Sequence, residues 1–189
     1  GEEPVAPYLR ISKDKKQVNA NAIAVFNDDK MVGTLDDSEL KAFQIIMGEL
    51  QEGNFTIGQA LADGEDAVTF SFRSVSSEVK SKIIDDKPLI KLNMELEVDI
   101  VEQTSLVAAV NEEYINDLQK NLKAQLIREI QKTVDKVQKD YKADIFGFGR
   151  YFRAYHNDYW KDHDWKEEFP KLQVDTDLKV FVRRVGIER

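Results

Sequence analysis

Gly147-Phe148-Gly149 is the first place where residue types and spacing could do chemistry, because closely spaced glycines can cradle a phosphate. A dinucleotide fingerprint needs a third glycine, a preceding strand and a downstream acid. Phe152 stands where the third glycine would be, and a helical pattern precedes the pair. The two glycines read instead as points where a helix backbone comes close to a neighbouring element. His156 and His163 lie near Asp158, Asp162 and Asp164, a mixture of nitrogen and oxygen donors that metals accept. Their spacing of seven suits no pair on one helix face, and no His-Glu-x-x-His motif is present. Solvated or capping roles are expected for them, and no metal or cofactor.

Adjacent carboxylates recur at Asp28/Asp29, Asp36/Asp37, Asp85/Asp86, Glu112/Glu113 and Glu167/Glu168. A hydrolytic dyad needs two carboxylates in a shaped, partly apolar site. These pairs fall at expected turns and helix starts, where acids favour water and the helix dipole. No Gly-x-Ser-x-Gly elbow or phosphate loop occurs. Ser71, Ser74, Ser76, Ser77 and Ser81 fall on strand or bulge positions. No catalytic residue is assigned, and the chain is not expected to be an enzyme.

What remains is a dense aromatic group: Tyr151, Phe152, Tyr155, Tyr159, Trp160, Trp165 and Phe169. Three readings stay open. The rings form a structural mini-core for the last helices, a partner-binding surface, or a shallow ligand pocket.

The elements that would position these residues follow from periodicity. Val18 to Phe26 and Lys30 to Leu35 read as strands about the turn Asn27-Asp28-Asp29, with an earlier strand at Tyr8 to Ile11. Asp36 and Glu39 form a capping-box pattern. Leu40, Phe43, Met47 and Leu50 then mark a helix ending near Gly48 or Leu50, with Gly53 as punctuation. Asn54 to Leu61 and Ala67 to Ile83 are the next strands, about the turn Asp63-Gly64-Glu65. Val68, Phe70 and Phe72 disagree in parity with Val79 and Ile83, which predicts a bulge near Val75 to Ser77. Ile90, Leu92, Met94, Leu96, Val98 and Ile100 alternate strictly with polar residues, as in a strand of an antiparallel sheet buried on one face.

From Val110 to Tyr141 the stripe Tyr114, Leu118, Leu122, Leu126, Ile130, Val134, Val137 and Tyr141 predicts one amphipathic helix packed on that face. Asp144 is the expected N-cap of a helix carrying Phe148, Phe152, Tyr155 and Tyr159. Asp164 with Glu167 would cap a short helix that Pro170 stops. Leu172, Val174, Leu178, Val180 and Val182 make a last strand. The expected fold is α+β over residues 1–189, a single domain. It has an antiparallel sheet of about five strands, with the long helix and shorter C-terminal helices on one face.

Bulk properties bound the function. A chain of 189 residues can bury a sizeable core. Its net charge of −8 argues against nucleic acid and against electrostatic docking on anionic lipid, and Arg183, Arg184 and Arg189 do not reverse this. With no cysteine, thiolate chemistry and disulfides are excluded. No run is long and apolar enough for a membrane helix. The opening Gly1-Glu2-Glu3-Pro4 lacks a signal peptide. The chain is therefore expected to be a piece of a longer protein.

Two blocks carry a resemblance. One contains Asp144, Gly147, Gly149, Trp160, Trp165 and Phe169, followed by an alternating strand to Gly186. The other runs A-V-F-N-D-D-K-M-V-G-T-L-D-D-S-E from Ala24 to Glu39. In this order and separation they resemble the Ger(x)C family, the lipoprotein subunits of bacterial spore germinant receptors. The resemblance implies the C-terminal domain of a lipid-anchored subunit on the outer face of the spore inner membrane. Upstream domains and the lipid anchor would lie outside this chain. It also implies integral-membrane A and B subunits as partners and a scaffolding role in the germination response. Tyr159 joins the motif residues as part of the expected partner surface. Direct binding of a small germinant is the alternative, and hydrolysis of spore cortex a weaker one that lacks a dyad.

Overall fold

The computed structural model describes residues 2–11, 18–19, 22–61, 64–103 and 111–185. The strands are β1 (Val5–Pro7), β2 (Arg10–Ile11), β3 (Val18–Asn19), β4 (Ile23–Asn27), β5 (Lys30–Leu35), β6 (Asn54–Leu61), β7 (Gly64–Ile84), β8 (Lys87–Gln103) and β9 (Gln173–Val185). The helices are α1 (Asp37–Met47), α2 (Glu112–Asp135), α3 (Phe148–Tyr155), α4 (Asn157–Asp162) and α5 (Trp165–Glu168). The architecture is α+β, with a four-stranded sheet in the order β6-β7-β8-β9 and a three-stranded sheet in the order β1-β4-β5. β2 and β3 form a separate short pair.

The alternation in β8 sets the core. Ile90, Leu92, Met94, Leu96, Val98 and Ile100 are buried. They share one cluster with Leu118, Leu122, Leu126, Ile130 and Val134 of α2 and with Ala42, Phe43, Ile45 and Ile46 of α1. The opposite face is wet and crossed by ion pairs: Lys179–Glu95 at 2.8 Å, Arg183–Glu97 at 2.6 Å and Arg73–Asp99 at 3.4 Å. The parity conflict in β7 is resolved by a register shift between Phe72 and Ser74, slightly earlier than expected. Beyond it Val75, Val79 and Ile83 pack against the core. The turn to β8 is Asp85-Asp86, both at positive φ (49° and 59°), a tight hairpin geometry. Of the expected Asp63-Gly64-Glu65 turn, Asp63 lies outside the described residues, and Gly64 and Glu65 already belong to β7.

Several details differ from the sequence reading. β6, β7 and β8 are mutually antiparallel, but β9 runs parallel to β8. Alternation fixes which face a residue takes, not which way the strand runs; α2 to α5 lie between β8 and β9 and supply the crossover a parallel neighbour needs. The expected strand from Val18 to Phe26 is divided between β3 and β4. Helix α1 ends at Gly48, whose left-handed φ of 70° closes it, and Gly53 instead precedes β6. Its deepest residues include Ala42, Ile45 and Ile46, whereas the expected Leu40 and Met47 are only partly buried. The long helix is α-helical only to Asp135 and continues as a π-helix over Lys136–Tyr141.

That π-helix joins the two sheets. Both halves of the capping box form at Asp36 and Glu39, at 2.9 and 3.1 Å. The buried Glu39 carboxylate also holds Lys136 at 2.7 and 2.9 Å. Lys136 donates to the Thr34 carbonyl at 3.0 Å as well, and the Tyr141 hydroxyl donates to that same carbonyl at 2.9 Å. Gly33 lies directly against the Tyr141 ring; a Cβ there would overlap it.

Partial burial works against the Lys136 charge, but the hydrogen bonds and charge of Glu39 outweigh it and hold the ammonium above its ordinary value of 10.5. A raised lysine pKa stabilises the fold fully below the unfolded value and loses that contribution as pH rises through the folded one. Lys136→Met leaves the Glu39 charge buried without a cation and should cost about 2–3 kcal/mol in urea unfolding at pH 7. The gap between the wild type and this variant should narrow above pH 10.5.

Candidate functional site

Seven consecutive residues, 143–149, are all buried. They include the polar Asp144, which is 3% exposed. A buried carboxylate needs donors, and Asp144 has three. Its Oδ1 accepts from the Phe148 amide at 2.9 Å. Its Oδ2 accepts from the Gly149 amide at 2.7 Å and from the Trp165 indole Nε1 at 2.9 Å. Asp144 therefore caps α3 from four residues before its first residue, not from the adjoining N-cap position expected from sequence. Gly147 occupies that adjoining position with φ of 68°. Burial holds the Asp144 carboxyl above the ordinary aspartate value, against the pull of its three N–H donors.

Each motif residue has a place in this unit. Gly147 supplies the left-handed turn that swings the chain back so that α3 presents its amides to Asp144. A Cβ at Gly149 would come within 2.7 Å of Trp165 Nε1, so the indole lies against bare backbone. Trp165 in turn packs on Phe152 (centroids 5.0 Å apart), Trp160 (5.7 Å) and Phe169 (6.2 Å). Tyr159 stacks on His163 at 4.0 Å and donates to Glu168 at 2.8 Å. Partial burial and that carboxylate push its hydroxyl above the ordinary tyrosine value. The π-helix reaches the same unit, since buried Gln138 donates to the carbonyls of Phe169 and Leu172.

The expected single helix through Phe148, Phe152, Tyr155 and Tyr159 is broken at His156, whose φ of −134° is not helical. Within α3, Tyr155 is 75% exposed while Phe152 is buried. Asp164 caps α5 through the Lys166 amide at 3.0 Å, and Pro170 sits inside a 3-10 turn, Phe169–Lys171, that continues the helix. The two histidines have separate surroundings. His156 Nε2 is buried with no hydrogen-bond partner among the described residues, and His163 Nδ1 meets the Tyr159 carbonyl at 3.0 Å. Among the described residues no group of three or more His, Asp or Glu could hold a metal. The paired carboxylates at Asp28/Asp29, Asp36/Asp37, Asp85/Asp86, Glu112/Glu113 and Glu167/Glu168 lie in turns or helix starts.

Beside the motif opens a cleft of about 310 Å³. Trp160, Trp165 and Phe169 form its apolar wall, Asp144 is among its lining residues, and Glu3, Lys142, His163, Asp164 and Lys166 complete it. The aromatic group is thus both mini-core and surface: Phe152 and Phe169 are buried, whereas Trp160 and Trp165 are half-buried. Periodicity did not single out Glu3, Lys142 or Lys166, because they come from an N-terminal segment, the end of the π-helix and the second residue of α5. The Ala24–Glu39 block reaches the same place. Asn27 donates to the carbonyls of Tyr141 (3.2 Å) and Lys142 (3.0 Å), and Asp28 pairs with Lys166 at 2.7 Å.

Asp144→Ala would strand two amides and an indole N–H in a buried site, at a cost of about 3 kcal/mol or more by chemical unfolding. Tryptophan emission should shift to longer wavelength as Trp165 is released. Gly149→Ala, which displaces the same indole while leaving the carboxylate in place, should give a smaller loss, about 1–3 kcal/mol, with the same direction of emission shift. Unchanged emission in both variants would contradict the Asp144–Trp165 bond.

Comparison with known proteins places the chain in a family. Residues 21–186 match the family model described as spore germination B3/GerAC like, C-terminal. Among curated proteins, the chain is 24% identical over 173 residues to spore germination protein YndF of Bacillus subtilis (strain 168), covering 89% of this chain and 42% of that protein. It is 24% identical over 182 residues to spore germination protein B3 of the same strain, covering 94% and 47%. It is 26% identical over 205 residues to spore germination protein KC, covering 97% and 49%. The chain thus spans less than half the length of these relatives. The crystal structure of the GerBC protein superposes with a TM-score of 0.79 at 21% identity, over 96% of this chain and 57% of that one, and so shares the fold. With a match that runs through both motif blocks, this chain belongs to the spore germination B3/GerAC-like C-terminal family.

Proposed function

We propose that this chain is the C-terminal domain of the C subunit of a spore nutrient germinant receptor, and that it acts in receptor assembly and the germination response without catalysis. In this reading a lipid anchor in the longer protein holds it at the outer face of the spore inner membrane. Its partners there are the integral-membrane A and B subunits. The observation that carries the reading is the use to which the motif side chains are put. Asp144 accepts from three N–H donors within the unit, and Gly149 and Trp165 are in close contact. The motif builds a shape and leaves aromatic faces, not a reactive group, at the surface. Exposed aromatics on a firm scaffold suit protein contacts.

The cleft favours a second reading, direct binding of a small germinant. A space of about 310 Å³, walled by two indoles with charged groups at its rim, suits a compact polar molecule. That reading requires saturable thermal stabilisation of the chain by the nutrient.

Deleting the gene should abolish the loss of refractility of spores in response to particular nutrients while non-nutrient triggers still work. A normal response to every nutrient in a strain without other receptors would overturn the proposal. Tyr155, 75% exposed on α3, is the aromatic residue most available to a partner. Tyr155→Ala should leave the melting temperature unchanged and weaken recovery of the subunit with its A and B partners; if Tyr155 is a contact hot spot, the loss is more than about 1 kcal/mol of binding.

A further inference from the structure

We infer that the Trp160–Trp165 cleft is the docking site for the part of the longer protein that precedes this chain, an interface within one polypeptide. The inference rests on reading the chain as a C-terminal domain and names the occupant of that domain's cleft. Length supplies the first argument. The chain spans 42% to 49% of the curated relatives it matches, and the matching family is described as C-terminal, so their additional length comes before it.

The second argument is where the chain arrives. Residues 2–7 are tied down beside the cleft. Glu2 pairs with Arg150 at 2.8 Å, the Glu3 amide donates to the Asp144 carbonyl at 3.0 Å, and the Glu3 carboxylate accepts from the Asp28 amide at 2.9 Å. Val5–Pro7 is then fixed by pairing with β4. Glu3 itself lines the cleft. The backbone at Glu3 is thus fixed at the cleft wall, and a segment joined closely upstream of it would have a high effective concentration there.

The third argument is that the cleft wall is chemically unfinished. The indoles of Trp160 and Trp165 are only partly buried, and the exposed Lys142 ammonium has no carboxylate partner among the described residues. The occupant that completes them is an apolar side chain set against the indoles, with a carboxylate beside it for Lys142. The open face of the large sheet makes no such demand, because Glu95, Glu97 and Asp99 are already paired with Lys179, Arg183 and Arg73.

Amide hydrogen exchange tests this, comparing this chain alone with the longer protein prepared without its lipid anchor. Peptides covering 142–147 and 157–169 should exchange about tenfold or more slowly in the longer protein. Peptides from the centre of β8 should be equally protected in both, which shows that the chain folds alone. Equal exchange at the cleft in the two proteins would overturn the inference. So would cleft protection in the chain alone on raising its concentration, which would mean a second copy, or on adding alanine or glucose, which would mean a small ligand. Lys142→Glu in the longer protein should return those peptides toward the rate of the isolated chain, and persistently slow exchange would overturn the proposed docking mode. Exchange reports the contact whether or not spores respond to nutrients, so failure here is distinguishable from failure of the receptor reading.

Discussion

Asp144 places a carboxylate where water scarcely reaches, and the surrounding structure is arranged to supply it with donors. Two of the three donors are amides at the start of α3, so the helix must begin where it does and point where it does. The third is the indole of Trp165, twenty-one residues away in sequence, which brings α5 against α3. Gly149 is required because the indole can reach the carboxylate only by lying on the backbone. Phe152, Trp160 and Phe169 then pack around an indole whose position is already fixed. One buried charge thus organises three short helices that are too brief to be stable alone.

A second buried charge ties this unit to the rest of the molecule. Glu39 ends the first motif block, completes the cap of α1, and holds Lys136 at the start of the π-helix. The wider π turn lets two successive side chains, Val137 and Gln138, both point inward. Val137 joins the core, while Gln138 satisfies the carbonyls of Phe169 and Leu172 at the entrance to β9. Gly33 makes room for Tyr141 at the end of the same turn. The two motif blocks are far apart in sequence, yet both are fitted to residues 136–144. Their joint presence in the sequence therefore reflects one tertiary contact region and not two independent sites.

The parts legible in sequence were those governed by a local period. Alternation in β8 and the stripe of α2 identified the buried faces residue by residue, because each depends only on which side of an element a residue takes. The capping box at Asp36 was legible for the same reason. What escaped the sequence were outcomes set by distant partners. The parallel course of β9 depends on where the crossover leaves the chain. The break at His156 goes with distant packing, in which Phe152 meets both Tyr159 and Trp165. The π turn follows from the demands of Glu39 and of two carbonyls near the C-terminus. Asp144 was recognisable as a helix-capping residue, but its bond to Trp165 was not, since no local rule joins an acid to an indole across two intervening helices. A pocket at the aromatic cluster was one of three readings open in the sequence; the parts of its wall at Glu3 and Lys142 were illegible because they come from separate stretches.

This division has a consequence for how the domain can work. Residues 143–149 are buried throughout, so changes there act on the fold first and on any partner only through the fold. Groups at the cleft rim and on the outer side of α3 behave differently: Lys142 and Tyr155 are exposed, and their removal disturbs little packing. A family motif can therefore be indispensable without touching anything outside the domain. What it does within the domain is hold indole faces and a cation at fixed positions, so that in the docking we propose an occupant would lose little ordering entropy from this side. Recognition in that docking would depend on the shape of the incoming surface and on where it carries a carboxylate. Neither property is written in the motif that holds the cleft in place.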